Sequence, residues 1–440
     1  MTDTEQKSTG ESLAKARKLL AEGRLDNCLE VVKPLWLSQP DDTEIISMMV
    51  DLLQQAEEFE ASQALATLLT KMKGNGDAPS ELDSCAREVF EAGYRLIDVR
   101  QYELAAMLLA ICARQAPDDP TVHYELGFTL MSLSRYREAA EHFETVRSIE
   151  EDFDTVLNLS VCYCLCQETK ESAAMIGRLD GLASSEEERG ELRHRKQVQA
   201  RLEKLAGKAK LNARDWFFIL YGTILLFDPE DRINQVKDTG RESPESYTKI
   251  AFTLLVLKGV LEGLRWPPEA IEFYSPTSRP LAAILARLAD LPLNSYQGPD
   301  RPDHALMLMD WASEIIGPHE SFVSNDSNRS IFAYALSTRE ALPLIPDIVA
   351  HFSDNITLPW TGESRITLED GQGISPEEVI PEILERAWNL ESDPDILKAI
   401  QDLVQYYSDK RDLLVAHNTE RFANRPEYSA EIPGASGKTR

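Results

Sequence analysis

The sequence has no long apolar run. Nothing in its 440 residues approaches 18 consecutive apolar positions, which excludes a membrane-spanning helix by length. The opening MTDTEQKSTGES has no apolar core segment, so no signal peptide is expected. Glycine and proline are ordinary at 21 and 23, which excludes collagen-like and low-complexity chains. Positive charge is scarce: 46 Lys and Arg stand against 74 Asp and Glu, a formal net charge of −28. A field of that sign repels phosphate backbones, so no nucleic acid and no anionic membrane is expected as a partner. The deficit is even, −13 over residues 1–210 and −15 over 211–440, so neither half hides a basic module. Acidity of this kind fits solubility in the cytoplasm, the expected location.

Cysteine is absent after residue 166. All six lie earlier: Cys28, Cys85, Cys112, Cys162, Cys164 and Cys166. Without a secretory signal, free thiols in a reducing compartment are expected. The run Cys162-Tyr-Cys164-Leu-Cys166 has the look of a metal motif. On a helix, however, Cys162 and Cys166 share a face while Cys164 points elsewhere, and no His stands nearby to complete a tetrahedral set. Small buried thiols between packed helices are the expectation, with no metal and no cofactor. The seven His residues are scattered, and none sits in HExxH or beside Gly-x-Ser-x-Gly, so no catalytic residue is assigned. Gly434–Thr439 looks like a phosphate loop, but its first Gly would fall on Ile432.

What is present is a repeat. The segments QYELAAMLLAICARQAPDD, RYREAAEHFETVRSIEEDF and RLDNCLEVVKPLWLSQPDD align with a period near 34 residues. Each opens on Tyr102, Tyr136 or Leu25. A small residue follows three positions later (Ala105, Ala139, Cys28), and an apolar one four after that (Leu109, Phe143, Val32). Twelve positions upstream of each small residue stands another, Gly93, Gly127 or Ala16. Small residues let two helices approach closely while large ones fill the space beside them. A single hairpin of this kind cannot bury its apolar face, so copies must stack. The pattern resembles the tetratricopeptide repeat (TPR) family, in five units of about 9–42, 43–76, 86–119, 120–152 and 153–186. The third and fourth match best. The second is degenerate (Phe59, Ser62, Ala66) and ends in KMKGNGDAPS; the fifth has Tyr163, Ser172 and Ile176. The tryptophan found near the start of family units is missing throughout.

Past residue 211 the pattern changes. WFFILYGTILLF (216–227) reads as one bent strand or two short ones, with a buried helix as the alternative. A helix is expected over 243–263 and another over 280–290. Strands are expected at 270–274, 291–296, 304–311 and 330–336. LPLIPDIVAHF (342–352) reads as helical, as do 376–390 and 393–417. Alternating strands and helices imply an α/β sheet. The expected fold class is therefore a TPR-like α-helical solenoid followed by an α/β domain. The expected divisions are a disordered 1–8, repeats over 9–186, a connecting or capping helix at 187–210, an α/β domain over 211–417, and a disordered tail at 418–440.

Two places follow from the rule that such sheets bind ligands at strand carboxyl ends. Ser275, Thr277, Ser278 and Arg279 could hold a phosphate or carboxylate at a helix start; the simpler reading is that Thr277 and Ser278 cap that helix. Asp310 and Glu314 could hold a divalent metal or simply form an acidic helix start. The layout loosely resembles phosphoribosyltransferase sheets, but their paired acids and Gly-rich loop are missing, so no activity carries over.

The resemblance to TPR proteins implies a scaffold that takes a protein or peptide partner in its concave groove. The alternative is an α/β domain that is an enzyme or binds a phosphorylated small molecule, with the repeats recruiting substrate. In the family register the groove is lined by the first helix of each unit. That places Arg87, Phe90, Tyr94 and Ile97 of the third unit beside Thr121, Tyr124, Phe128 and Met131 of the fourth. The simpler reading is that this stripe packs against a neighbouring helix. Some family members hold a C-terminal carboxylate with Lys, Asn and Arg on first helices; here the matching positions of the first unit are Leu13 and Arg17, without the Asn. Calorimetry with acidic chaperone-tail peptides should therefore show no micromolar binding.

Overall fold

The computed structural model describes residues 3–74, 81–229, 247–298, 304–324, 329–356, 358–360 and 376–415. The chain divides into two compact units, Met1–Glu188 and Arg189–Arg440.

The first unit is a solenoid of five helix pairs. They are α1 (Asp3–Ala21) with α2 (Leu25–Ser38), α3 (Thr43–Gln55) with α4 (Phe59–Lys73), α5 (Ala86–Asp98) with α6 (Tyr102–Gln115), α7 (Pro120–Ser132) with α8 (Tyr136–Ile149), and α9 (Phe153–Leu165) with α10 (Thr169–Leu182). The first helix starts at Asp3, so residues 3–8 are helical and not the disordered segment expected there. Three later first helices are capped by Asp42, Asp119 and Asp152, whose carboxylates accept backbone N–H bonds at 2.7–3.3 Å.

Within each pair the small residues stand at the contact. A Cβ on Gly93 would lie 3.0 Å from Leu109, and one on Gly127 would lie 3.0 Å from the Phe143 ring. Where the small residue carries a polar atom, it reaches the carbonyl twelve positions back. Cys28 Sγ donates to Ala16 O (3.4 Å), Ser62 Oγ to Val50 O (3.0 Å) and Ser172 Oγ to Ser160 O (3.3 Å). The degenerate second and fifth pairs thus keep the contact by another chemistry. The turns inside the pairs share a further device: one left-handed residue each, at Gly23, Glu57, Arg100, Ser134 and Gln167. Only the first is glycine, so four turns hold an L-residue where it costs about 1 kcal/mol. All six cysteines are free, five buried and Cys166 half-buried. Burial pushes the Cys112 thiol up to about 11 and that of Cys162 to about 12, which leaves both inert.

Helix α11 (Glu186–Lys204) spans the division. The second unit then forms α12 (Ala213–Tyr221), β1 (Ile224–Phe227), α13 (Tyr247–Gly263), β2 (Ala270–Phe273), α14 (Arg279–Ala289), β3 (Leu293–Ser295), β4 (Ala305–Trp311), α15 (His319–Ser324), β5 (Ser330–Leu336), β6 (Ile348–Phe352), α16 (Pro376–Leu390) and α17 (Pro394–Ser408). The six strands make one parallel sheet in the order β1-β6-β5-β4-β2-β3. Helices cover both faces. Thr253 of α13 meets His351 Nε2 on one (3.2 Å), and Phe217 of α12 packs edge-on against Phe352 on the other. Strands β1, β5 and β6 are buried along their whole length. A sequence that must bury both faces reads as a continuous apolar run.

Two segments differ from expectation. WFFILYGTILLF is a helix and then a strand. Asn212 and Asp215 form a capping box that starts α12, and Gly222, at φ 67°, ends it in the left-handed conformation. A Cβ there would meet Arg201 Nη2 at 2.7 Å and the Leu413 carbonyl at 2.9 Å. LPLIPDIVAHF is not a helix: its second half is β6, and Pro343 and Pro346 break any helical start. The last expected helix ends at Ser408, followed by a single 3₁₀ turn at Arg411–Leu413. Residues 243–246 and the tail from 418 lie outside the described residues.

Close helix contact gives a sign test. Gly127→Val drives a branched side chain into the fully buried Phe143 ring, and overpacking of this kind costs about 2 kcal/mol. Gly177, inside α10, has nothing within 4 Å of its Cβ position. Gly177→Ala should stabilise by about 0.5 kcal/mol through helix propensity. Urea unfolding of the two variants should therefore shift in opposite directions.

Candidate functional site

In the solenoid unit the register separates two faces of each first helix. Along α5, Val89, Ala92 and Leu96 are wholly buried, whereas Phe90 and Ile97 are half-buried and Arg87 and Tyr94 exposed. Along α7, Val122, Leu126 and Leu130 are buried. Tyr124, Phe128 and Met131 are half-buried and Thr121 is exposed. Phe90 and Tyr94 stack, ring centroids 6.3 Å apart, and the Arg95 guanidinium sits over the Tyr94 ring. Tyr124 sets its edge on Phe143, and its hydroxyl accepts from Asn158 Nδ2 of α9 at 3.3 Å. Each of these aromatic residues is thus neither fully buried nor fully open. The simpler reading, a stripe buried against a neighbouring helix, does not describe Tyr94, which is 37% exposed. Arg17 of the first pair is engaged by Glu44, and Leu13 is buried.

In the α/β unit, β2 connects outward to β3, whereas β4 leads the other way to β5. Loops leaving in opposite directions open a crevice between the carboxyl ends of two neighbouring strands. The two segments there are the two places read from sequence, Ser275–Arg279 after β2 and Asp310–Glu314 at the carboxyl end of β4. Neither the topology nor their adjacency is visible in local pattern.

The hydroxyls of the first loop are bonded to one another. The Ser275 and Ser278 N–H groups each donate to the other's Oγ (3.2 and 3.1 Å), Ser278 Oγ donates to Ser275 O (3.0 Å), and Thr277 Oγ1 lies 2.8 Å from Ser275 Oγ. Ser278 is the N-cap of α14, but its side chain makes no capping bond. Arg279 opens that helix and is half-buried.

The second loop is a cluster of acids. Asp310 is 1% exposed, and among the described residues neither carboxyl oxygen accepts a hydrogen bond of good geometry. Burial drives its carboxyl well above the ordinary range, and Glu314 adds to the rise. The Trp360 indole and Thr277 hydroxyl lie near enough to oppose it, but Trp360 Nε1 donates to the Thr277 carbonyl instead (2.7 Å). Glu314 Oε1 accepts from the Asp310 N–H (2.9 Å), while its Oε2 is buried without a partner. Glu340, after β5, has its carboxyl raised by burial against the opposing pull of Ser313 and Ser337; its Oε2 also lacks a partner. Among the described residues, four acceptor atoms without partners thus stand at the carboxyl ends of β4 and β5. Among the described residues no group of three or more His, Cys, Asp or Glu is disposed to hold a metal ion. Sequence reading missed Glu340 and Trp360. Glu340 hid in front of a segment taken for a helix, and a lone Trp carries no local signal.

No family model matches the chain, and no curated protein matches it. Solved structures are similar over part of it. MamA 41-end from Desulfovibrio magneticus RS-1 is 16% identical with a TM-score of 0.25, over 40% of this chain and 94% of that one. A second MamA protein is 13% identical with a TM-score of 0.23, over 47% of this chain and 97% of that one. Likenesses at this level fix neither family nor function. No helix among the described residues is long and apolar enough to cross a membrane.

Asp310 gives a pH signature. A carboxyl whose folded pKa is raised carries no penalty at low pH, and stability is lost as pH rises towards the folded value. Asp310→Asn keeps the shape of the neutral acid. It should raise unfolding free energy, by more at pH 8 than at pH 5.5, in urea titrations at the two pH values.

Proposed function

We propose that the protein is an interaction scaffold that takes a protein or peptide partner on the face formed by α5 and α7. The observation that carries this reading is the strip Phe90, Tyr94, Tyr124 and Phe128, part open to solvent on first helices whose other faces are buried. Arg87 and Met131 flank it. Apolar surface gathered in one strip marks an interaction site, and aromatic anchors carry much of the energy of such sites. The Cys residues and the tight inter-helix contacts belong to the frame that holds the strip.

A second reading has one observation in its favour. The crevice after β2 and β4 holds a carboxyl buried without partners among the described residues, the kind of uncompensated polar group that marks functional sites. It supports a small ligand in the α/β unit. Unpaired carboxyl oxygens favour a ligand that donates hydrogen bonds over the phosphorylated molecule expected from the Ser275, Thr277, Ser278 and Arg279 loop.

Capture of partners from a lysate by the full chain, compared with Tyr94→Ala/Phe128→Ala, tests the first reading. At about 2 kcal/mol for each central anchor, the double variant should lose capture while its melting temperature stays within a few degrees. A large fall in melting temperature would show that the strip belongs to the core.

A further inference from the structure

The first helices that carry the aromatic strip are unequal in charge. Helix α7 (PTVHYELGFTLMS) and helix α9 (FDTVLNLSVCYCL) contain no Lys or Arg. Helix α5 has two, Arg87 and Arg95. Arg95 is already shared by three carboxylates, Glu60 at 2.7 Å, Glu91 at 3.0 Å and Asp98 at 3.5 Å. One guanidinium cannot neutralise three acids, so negative charge is left over where α5 ends. On α7, Glu125 follows Tyr124 directly. It is half-buried, and among the described residues no ion pair reaches it. On α9, Asp154 is exposed, also without an ion pair among the described residues.

These acids act on two groups. The Glu125 carboxyl is raised by burial and by Asp98 across the helix boundary. The Tyr124 phenol is raised by burial, then by Asp154, Asp152 and Glu125, against the pull of its bond from Asn158. Asp98 thus lies near Glu125, while Glu125, Asp152 and Asp154 lie near Tyr124, whose hydroxyl is tied to Asn158 of α9; Asp98 is already paired with Arg95 and Asp152 caps α9, which leaves Glu125 and Asp154 as the acids open to a partner. Three different elements supply the four acids: the end of α5, the body of α7 and the start of α9. An apolar surface framed by acids of one sign is complementary to a segment that carries apolar side chains and cations together.

We propose that the face of α5, α7 and α9 recognises a basic, apolar peptide segment, its Lys or Arg side chains paired with Glu125 and Asp154 and its apolar side chains on Tyr94, Tyr124 and Phe128. This rests on the scaffold reading above and adds the chemistry of the partner. Arg87, at the other end of α5, sets a limit: the partner's cations belong at the α7–α9 end, away from it.

The probes are two synthetic helical peptides with the same Leu and Phe positions, one carrying Lys and the other Glu at the remaining sites. Each is labelled and titrated with the full chain by fluorescence anisotropy at low and at moderate salt. The Lys peptide should bind about tenfold more tightly than the Glu peptide, as two charge pairs of modest strength allow. Its affinity should fall as salt screens the pairs. Glu125→Gln/Asp154→Asn should remove the preference. Glu171→Gln/Glu187→Gln, two acids on α10 and α11, should leave it intact, which separates this face from the general pull of a chain of net charge −28. Equal affinity for both peptides, tighter binding of the Glu peptide, or an equal loss in the α10–α11 variant would overturn the charge assignment. If Tyr94→Ala/Phe128→Ala still abolishes that binding, the scaffold face stands without its charge preference. Binding that survives the aromatic double variant, or binding of neither peptide, would overturn the face itself.

Discussion

A parallel strand with helices on both faces has no side for water. That constraint organises the second unit. Strands β1, β5 and β6 are buried from end to end, and β4 is buried up to Trp311. The backbone satisfies itself through the ladder, so polar side chains can be met only near strand ends or in special pairs. The sheet's order then decides which ends meet. With β2 and β4 as neighbours and their loops leaving in opposite directions, the loop of Ser275 and Ser278 and the loop of Asp310 and Glu314 face one crevice. Chemistry collects there because the sheet excludes it elsewhere.

The solenoid meets a different constraint. Two helices joined by a short turn must touch along a line, and the contact nearest the turn tolerates only small groups. A methyl on Gly93 would stand 3.0 Å from Leu109 and one on Gly127 3.0 Å from Phe143, so either neighbour would have to give way. In the second and fifth pairs a serine stands at the position of Ala105 and Ala139 on the facing helix and donates to the carbonyl twelve residues earlier. Geometry is kept while the side chain changes. Fixing one face of each first helix in this contact leaves the opposite face to the residues that follow the register. Phe90, Tyr94, Tyr124 and Phe128 are partly open for that reason, and the turns that set the geometry hold left-handed residues at Glu57, Arg100, Ser134 and Gln167.

The hairpins were legible because their signal is spacing. Small residues twelve apart and a period near 34 survive loss of the family tryptophan. Strands such as SIFAYAL were legible because a buried run of seven, bounded by polar residues, has few other fates. WFFILYGTILLF misled because its helix is set by a capping box upstream, at Asn212 and Asp215, and by the left-handed Gly222 in its middle. LPLIPDIVAHF misled because its apolar spacing suits a helix, while Pro346 sits where a strand can begin and a helix cannot continue. The four non-glycine turn residues gave no sign, since nothing about Glu or Arg announces a positive φ. The crevice was half legible. Each loop could be named, but that β2 lies beside β4 depends on long-range pairing.

Two buried acids in this sheet show what the chain does when it can supply a partner. Glu272 lies in the body of β2, and Arg329, just before β5, donates Nε–H to its Oε2 at 2.6 Å; both side chains are almost wholly buried. The same guanidinium rests over the Tyr296 ring and reaches the Gly298 carbonyl at 3.3 Å. Breaking such a pair leaves a charge alone and costs about 3–5 kcal/mol. Asp310 stands on the neighbouring strand, three residues beyond the register partner of Glu272. It is as deeply buried, and among the described residues no cation pairs with it; only the Trp360 indole and the Thr277 hydroxyl lie near enough to oppose the rise of its carboxyl. The carboxyl lies at the end of β4, beside the crevice that the topology opens, so its desolvation cost falls at that crevice and not in the body of the sheet.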